Sequence, residues 1–105
     1  MGRKVTGNRI ELWGKLTSDA DLRITPAGTA VLRMAVECGQ SEEMLVLNVL
    51  MTGEGVRKIA QQLSPGHHVR VAGRLRKPGA GLKSAAGRAE TEVIADSIEL
   101  MEETE

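Results

Sequence analysis

The chain has 105 residues, enough for one modest hydrophobic core and no more. Apolar residues make up 41% and charged residues 27%, and 14 Lys and Arg cancel 14 Asp and Glu, so a wholly basic protein is excluded. A lone cysteine, Cys38, excludes an internal disulfide and points to a reducing, cytoplasmic setting. No apolar run approaches the roughly 18 residues that span a bilayer, and MGRKVTGNRI lacks the apolar stretch of a secretory signal, so no membrane partner is expected. Trp13 is the one aromatic residue, which argues against binding through several stacked rings.

Residues 8–16, NRIELWGKL, alternate. Ile10, Leu12, Gly14 and Leu16 fall on one side and Arg9, Glu11, Trp13 and Lys15 on the other, which predicts a strand with one buried face. TSDAD is turn chemistry, and Thr25-Pro26-Ala27-Gly28 has Pro second and Gly fourth, as a type I turn prefers. A second strand follows, with Leu32, Met34, Val36 and Cys38 inward and Val31, Arg33, Ala35 and Glu37 outward. GQSEE closes its hairpin. Residues 44–51, MLVLNVLM, are almost continuously apolar and predict a strand covered on both faces, by the helix or by a partner subunit.

The period then changes. Val56, Ile59, Ala60 and Leu63 form the stripe of a short amphipathic helix, which Ser64-Pro65-Gly66 stops. Residues 68–76 alternate again, with Val69, Val71, Gly73 and Leu75 inward and His68, Arg70, Ala72, Arg74 and Arg76 outward. The Gly-rich stretch 77–88 predicts a long flexible loop. Residues 91–100 form a last strand whose blurred parity predicts a bulge.

Strand, strand, strand, helix, strand, loop, strand is the order of an all-β OB-fold, a five-stranded Greek-key barrel with one short helix between strands 3 and 4. A single domain over 1–105 is expected, with its core over about 7–101, a basic flexible loop over 76–89 and a short acidic end at 102–105. Gly14 and Gly73 fit places where a small barrel must bend.

Zero net charge hides a segregation. Residues 55–89 carry eight bases and no acid, and residues 90–105 carry seven acids and no base. A polyanion would see the first block as an attractor. The candidate nucleic-acid-binding residues are therefore Arg33, Arg70, Arg74 and Arg76 on outward strand faces, and Lys77, Lys83 and Arg88 in the loop. The plainer alternative is a solvated surface in which these bases pair with the acidic last strand. Trp13, on a polar strand face, is a candidate for a dimer interface or for base stacking. His67 and His68 are neighbours and point to opposite faces of a strand, so no metal site is expected. Cys38 fits a small core residue better than a nucleophile, GAGLKS is too short for a phosphate loop, and no Ser/His/Asp set assembles. No catalytic residue, no cofactor and no enzymatic activity are expected.

NRIELWGKL, LRITPAGTAVLRMAVE, LSPGHHVRVAGRLR and TEVIADSIEL, in this order, resemble the bacterial single-stranded-DNA-binding proteins and their primosomal relatives, the primosomal replication protein N group. The likeness runs from about residue 8 to residue 100. The stretch R-x-T-P-x-G-x-x-V-L over 23–32 is closest to the primosomal branch, whereas Gly73-Arg74-Leu75 is shared with the single-strand binders generally. The resemblance implies a non-enzymatic OB-fold that binds single-stranded DNA. In the primosomal branch it implies a homodimer, paired through the first strand, that serves replication restart through the restart helicase and helicase-loading proteins. It also implies DNA contact by the loop that holds Lys77, Lys83 and Arg88. A chain ending soon after the last strand, without a long linker and an apolar-tipped acidic tail, favours that branch. The alternatives are a general single-strand binder, tetrameric and of phage or plasmid type, and an OB-fold turned into a protein-interaction module. One departure matters: Met34 and Met51 stand where an aromatic is common, which shifts affinity toward phosphate contacts.

Overall fold

The computed structural model describes residues 7–77 and 91–101. Among them the alternating segments form six strands: β1 (Ile10–Leu16), β2 (Asp21–Ile24), β3 (Ala30–Cys38), β4 (Leu45–Thr52), β5 (His68–Arg76) and β6 (Glu92–Met101). Helix α1 (Val56–Gln62) lies between β4 and β5, and a single 3-10 turn at Ser41–Glu43 joins β3 to β4. The sheet order is β1-β5-β6-β4-β3-β2. It closes where Lys15 and Leu16 of β1 pair with Glu37 and Val36 of β3. The β4–β6 pair is parallel and the others are antiparallel. Five strands therefore form a closed barrel with one helix between its third and fourth strands, and the protein is an all-β OB-fold.

Alternation becomes burial. Leu12, Leu16, Leu32, Val36, Val49, Val69, Val71 and Val93 point into the barrel and are shielded from water. Val56 of α1 is buried with them, and Ile59 and Ala60 pack against this core. Helix α1 rests on β3 and β2. Among the described residues, no helix is long and apolar enough to cross a membrane.

Four details depart from, or sharpen, the sequence reading. β2 is a strand that sequence patterning misses: its four residues are all exposed, so no inward and outward alternation marks them. It pairs only with β3, and Gly28, at φ +90°, turns the chain between the two. The expected i to i+3 bond of that turn is present, from the Gly28 N–H to the Thr25 carbonyl at 2.8 Å. Second, β4 is not covered on both faces in the single chain. Val49 is buried, but Leu45 and Val46 are exposed, and α1 packs elsewhere. Continuous apolarity marks a strand without saying what covers its outer side. Third, Leu75, expected inward, is exposed near the end of β5. Fourth, the bulge expected in the last strand is present. The β5–β6 register passes from Ala72↔Ser97 to Gly73↔Ala95, which leaves Asp96 as the extra residue. Inward positions on β6 therefore shift from Val93 and Ala95 to Ile98.

Gly14 and Gly73 mark two places within the barrel strands where backbones come too close for a side chain. A Cβ on Gly14 would lie 2.5 Å from the Glu37 carbonyl oxygen, at the closure of the barrel. One on Gly73 would overlap the Ile94 carbonyl oxygen, beside the bulge.

Candidate nucleic-acid interface

Strand register assembles the site from residues far apart in the chain. Arg33 of β3 faces Leu50 of β4. Leu50 pairs with Ile94 of β6 across the parallel ladder. Ile94 faces Arg74 of β5. All four occupy outward positions, opposite in parity to the buried Leu32, Val49, Val93 and Val71. The outer wall thus carries a row in which two exposed arginines flank two half-exposed aliphatic side chains. Three interstrand steps of ~4.8 Å put the arginine backbones about 14 Å apart along the wall. That exceeds the Debye length of roughly 8 Å at physiological salt, so the two charges repel little and can meet different phosphates.

Local structure holds both arginines in place. β2 flanks Arg33, with Asp21 directly opposite it. That carboxylate accepts a hydrogen bond from Arg23 Nε at 3.0 Å, so it has its own cation. Arg74 is anchored through the next residue. The Asn8 side chain donates to the Leu75 carbonyl at 2.8 Å and accepts from the Leu75 N–H at 2.9 Å, which extends the sheet past the start of β1. Neither Arg33 nor Arg74 has an ion-pair partner among the described residues. Lys77 is exposed just past the end of β5. Beside Arg33 a groove is lined by Ser18, Asp19, Asp21, Asn48 and Leu50.

The remaining candidates are placed differently. Arg70 donates to Glu99 at 3.0 Å and to Glu11. The hydrogen bond to Glu11, then that to Glu99, raises its pKa above the usual guanidinium range, so it stays charged at any working pH. It also lies 5.9 Å from the centre of the Trp13 ring, within cation–π range. One face of Trp13 is thereby occupied, although the ring remains 56% exposed. Arg76 donates through Nε at 3.1 Å and Nη2 at 2.6 Å to Glu92. The basic and acidic blocks of the sequence therefore meet across the β5–β6 ladder and cancel at two positions. The plainer alternative raised for the bases describes Arg70 and Arg76, and it leaves Arg33, Arg74 and Lys77 unpaired among the described residues. Lys83 and Arg88, the expected loop over 76–89 from residue 78 onward, and the expected acidic end at 102–105 lie outside the described residues.

Met34 is buried and Met51 packs against the core, so both methionines fill the barrel rather than its outer wall. Cys38, expected inward, is half-buried at the end of β3. It lines a groove with Trp13, Met44 and Met101 at the opposite end of β5 from Arg74. The backbone N–H of Ser64 donates to His67 Nδ1 at 3.1 Å, which ties that ring to the turn after α1.

A model of the single-strand binding protein family matches residues 7–101. The chain belongs to this family. It is 29% identical over 102 residues to a single-stranded DNA-binding protein of Clostridium tetani, which covers 90% of this chain and 70% of that protein. It is 32% identical over 102 residues to single-stranded DNA-binding protein 2 of Staphylococcus aureus, covering 90% and 73%. With the single-stranded DNA-binding protein of Thermus aquaticus the identity is 34% over 97 residues, covering 88% of this chain but only 37% of that one. In this member of the family, Leu50 and Ile94 join the candidate wall although sequence reasoning did not single them out. Continuous apolarity in β4 and blurred parity in β6 hide their outward positions, and their adjacency depends on the β4–β6 pairing, which joins segments more than 40 residues apart.

Proposed function

We propose that this protein binds single-stranded DNA on the wall formed by β3, β4, β6 and β5. What carries the reading is the row Arg33, Leu50, Ile94 and Arg74 on the barrel of a single-strand binding family member. The arginines hold phosphates, and the two aliphatic side chains give the sugar and base an apolar surface between them. Lys77 adds charge where the path leaves β5, and Lys83 and Arg88 follow it in the sequence. An apolar side chain lacks the about 1–3 kcal/mol that an aromatic platform gives each stacked base, so binding is weak in sequence preference and strong in salt dependence. The protein is on this reading a binding protein of the cytoplasm and not an enzyme.

With about four phosphates neutralised, log K falls against log salt with a slope near −3, taking roughly −0.7 per contact for single strands. Fluorescence anisotropy of a labelled oligo-dT, titrated at several salt concentrations beside a duplex control, measures it. A slope near zero, or equal affinity for duplex, removes the reading. Trp13 stands off the binding row, so its emission stays nearly unchanged when oligo-dT saturates the protein. Strong quenching would put a base on the ring.

The first role we assign is that of a general single-strand binder, as the similar proteins are named. The stretch over 23–32 favours a second, an accessory factor of the primosome that works in replication restart with the restart helicase and helicase-loading proteins. Self-association is part of both. β1 pairs with β5 along residues 10–15 but with β3 only at Lys15 and Leu16, so its other edge is open among the described residues. Exposed Trp13 lies on this strand, and a second copy covers the edge. Sedimentation equilibrium separates the roles: two chains for the primosomal factor, four for the general binder.

A further inference from the structure

We infer that Glu92 is an internal counter-anion that withholds Arg76 from the nucleic acid and so limits affinity. The inference rests on the single-strand-binding reading above and deepens it. Glu92 sits in the row next to the binding row. It pairs with Arg76 on β5 and with Asn48 on β4, which in turn faces Ala35 on β3. Asn48 lines the groove beside Arg33, so the carboxylate stands at the margin of the proposed phosphate path. It is 4% exposed, yet its position is outward in parity, next to the inward Val93. A carboxylate that far from water needs a cation, and Arg76 is the one that donates to it. Both described bonds end on the same oxygen, Oε1, and draw on Nε and Nη2 of the guanidinium.

The consequence is electrostatic. Counterion release counts net positive charge brought to the phosphates, and a guanidinium neutralised by a buried carboxylate brings none. Of the three outward bases on this strand face, Arg70, Arg74 and Arg76, only Arg74 is unpaired among the described residues, because Glu11 and Glu99 hold Arg70 and Glu92 holds Arg76. The two pairings differ in place. Arg70 lies four residues back along β5, beside Trp13, whereas Arg76 lies two residues beyond Arg74, within reach of a strand that crosses the binding row. Removing the charge of Glu92 alone thus adds a cation to the path.

The test is Glu92→Gln in the full chain. The amide oxygen still accepts from Arg76, so the fold keeps its contact and loses only the negative charge. Binding of labelled oligo-dT is measured by anisotropy across salt for wild type and variant, with thermal melting to verify folding. The salt slope is expected to steepen by about 0.7, the value of one added contact, and affinity at low salt to rise several-fold. Adding Arg76→Gln to Glu92→Gln is expected to remove that gain, and it holds the test open should the single variant melt early. An unchanged slope in Glu92→Gln overturns the inference, because Arg76 would then be out of reach or already counted. Weaker binding also overturns it, because Glu92 would then orient Arg76 toward phosphate. Wild-type protein that fails to bind oligo-dT overturns the parent reading itself, a result distinct from either.

Discussion

Reversing both arginines of the binding row, Arg33→Glu with Arg74→Glu, is expected to weaken oligo-dT binding about 100-fold at low salt, or ~2.7 kcal/mol. Each substitution removes a charge-assisted hydrogen bond to phosphate and sets a carboxylate against the backbone instead. The salt slope should become shallower by about 1.4, two contacts at roughly 0.7 each. Both side chains are exposed and unpaired among the described residues, so neither reversal strands a buried partner. Folding is therefore expected to survive, which thermal melting verifies. Arg57→Glu makes the same charge change on α1, where Arg57 lines a groove with Ala30 and Gly53 and with no residue of the row. It should shift affinity by less than about threefold. A double reversal that binds as well as wild type would move the nucleic acid off this wall.

The largest effect on stability is expected from Gly73→Ala. The added methyl group would overlap the Ile94 carbonyl oxygen and crowd the Ala95 Cα. Both are backbone atoms of a paired strand, and neither can swing aside as the end of a side chain can. The β5–β6 ladder would have to slide or open at its bulge, where Gly73 passes opposite Ala95. Overpacking usually costs about 1–3 kcal/mol, and a clash with fixed backbone belongs at the upper end. The melting temperature should fall by about 15 °C, at 4–8 °C per kcal/mol for a domain of this size. Gly28→Ala is a useful contrast. Its backbone is strained for any side chain at φ +90°, but nothing lies within 4 Å of the added methyl group, so the smaller loss comes from conformation alone. Equal melting temperatures for the two variants would mean that the barrel does not close as tightly at Gly73 as the structure describes.

Most of the fold was legible in the sequence because period-two alternation and burial are the same fact seen twice. β1, β3 and β5 carry their apolar residues at alternate positions, and those positions are the barrel interior. The bulge in β6 was legible for a related reason, since one extra residue at Asp96 breaks the alternation at a definite place. β2 was not legible. A four-residue flap with no buried side chain leaves no pattern, and only pairing with β3 makes it a strand. Of the two covers expected for the outer face of β4, α1 packs instead on β3 and β2, because apolar content says nothing of what lies opposite it.

The site divides in the same way. That Arg33 and Arg74 point outward follows from parity within each strand. That they belong to one row, with Leu50 and Ile94 between them, follows only from three ladders that join distant segments. The pairing of Arg70 and Arg76 with acids is of this kind too. In the sequence the basic and acidic blocks are separate, and antiparallel β5 and β6 bring them face to face. Charge counted along the chain therefore overstates the charge on the wall.

The most direct measurement is an amide chemical-shift map of isotopically labelled protein titrated with oligo-dT. The account predicts that the largest shifts gather at Arg33, Asn48, Leu50, Ile94 and Arg74, while Trp13 and Arg70 move little. Shifts centred on Trp13, Arg70 and the groove they border, with the row unmoved, would contradict it.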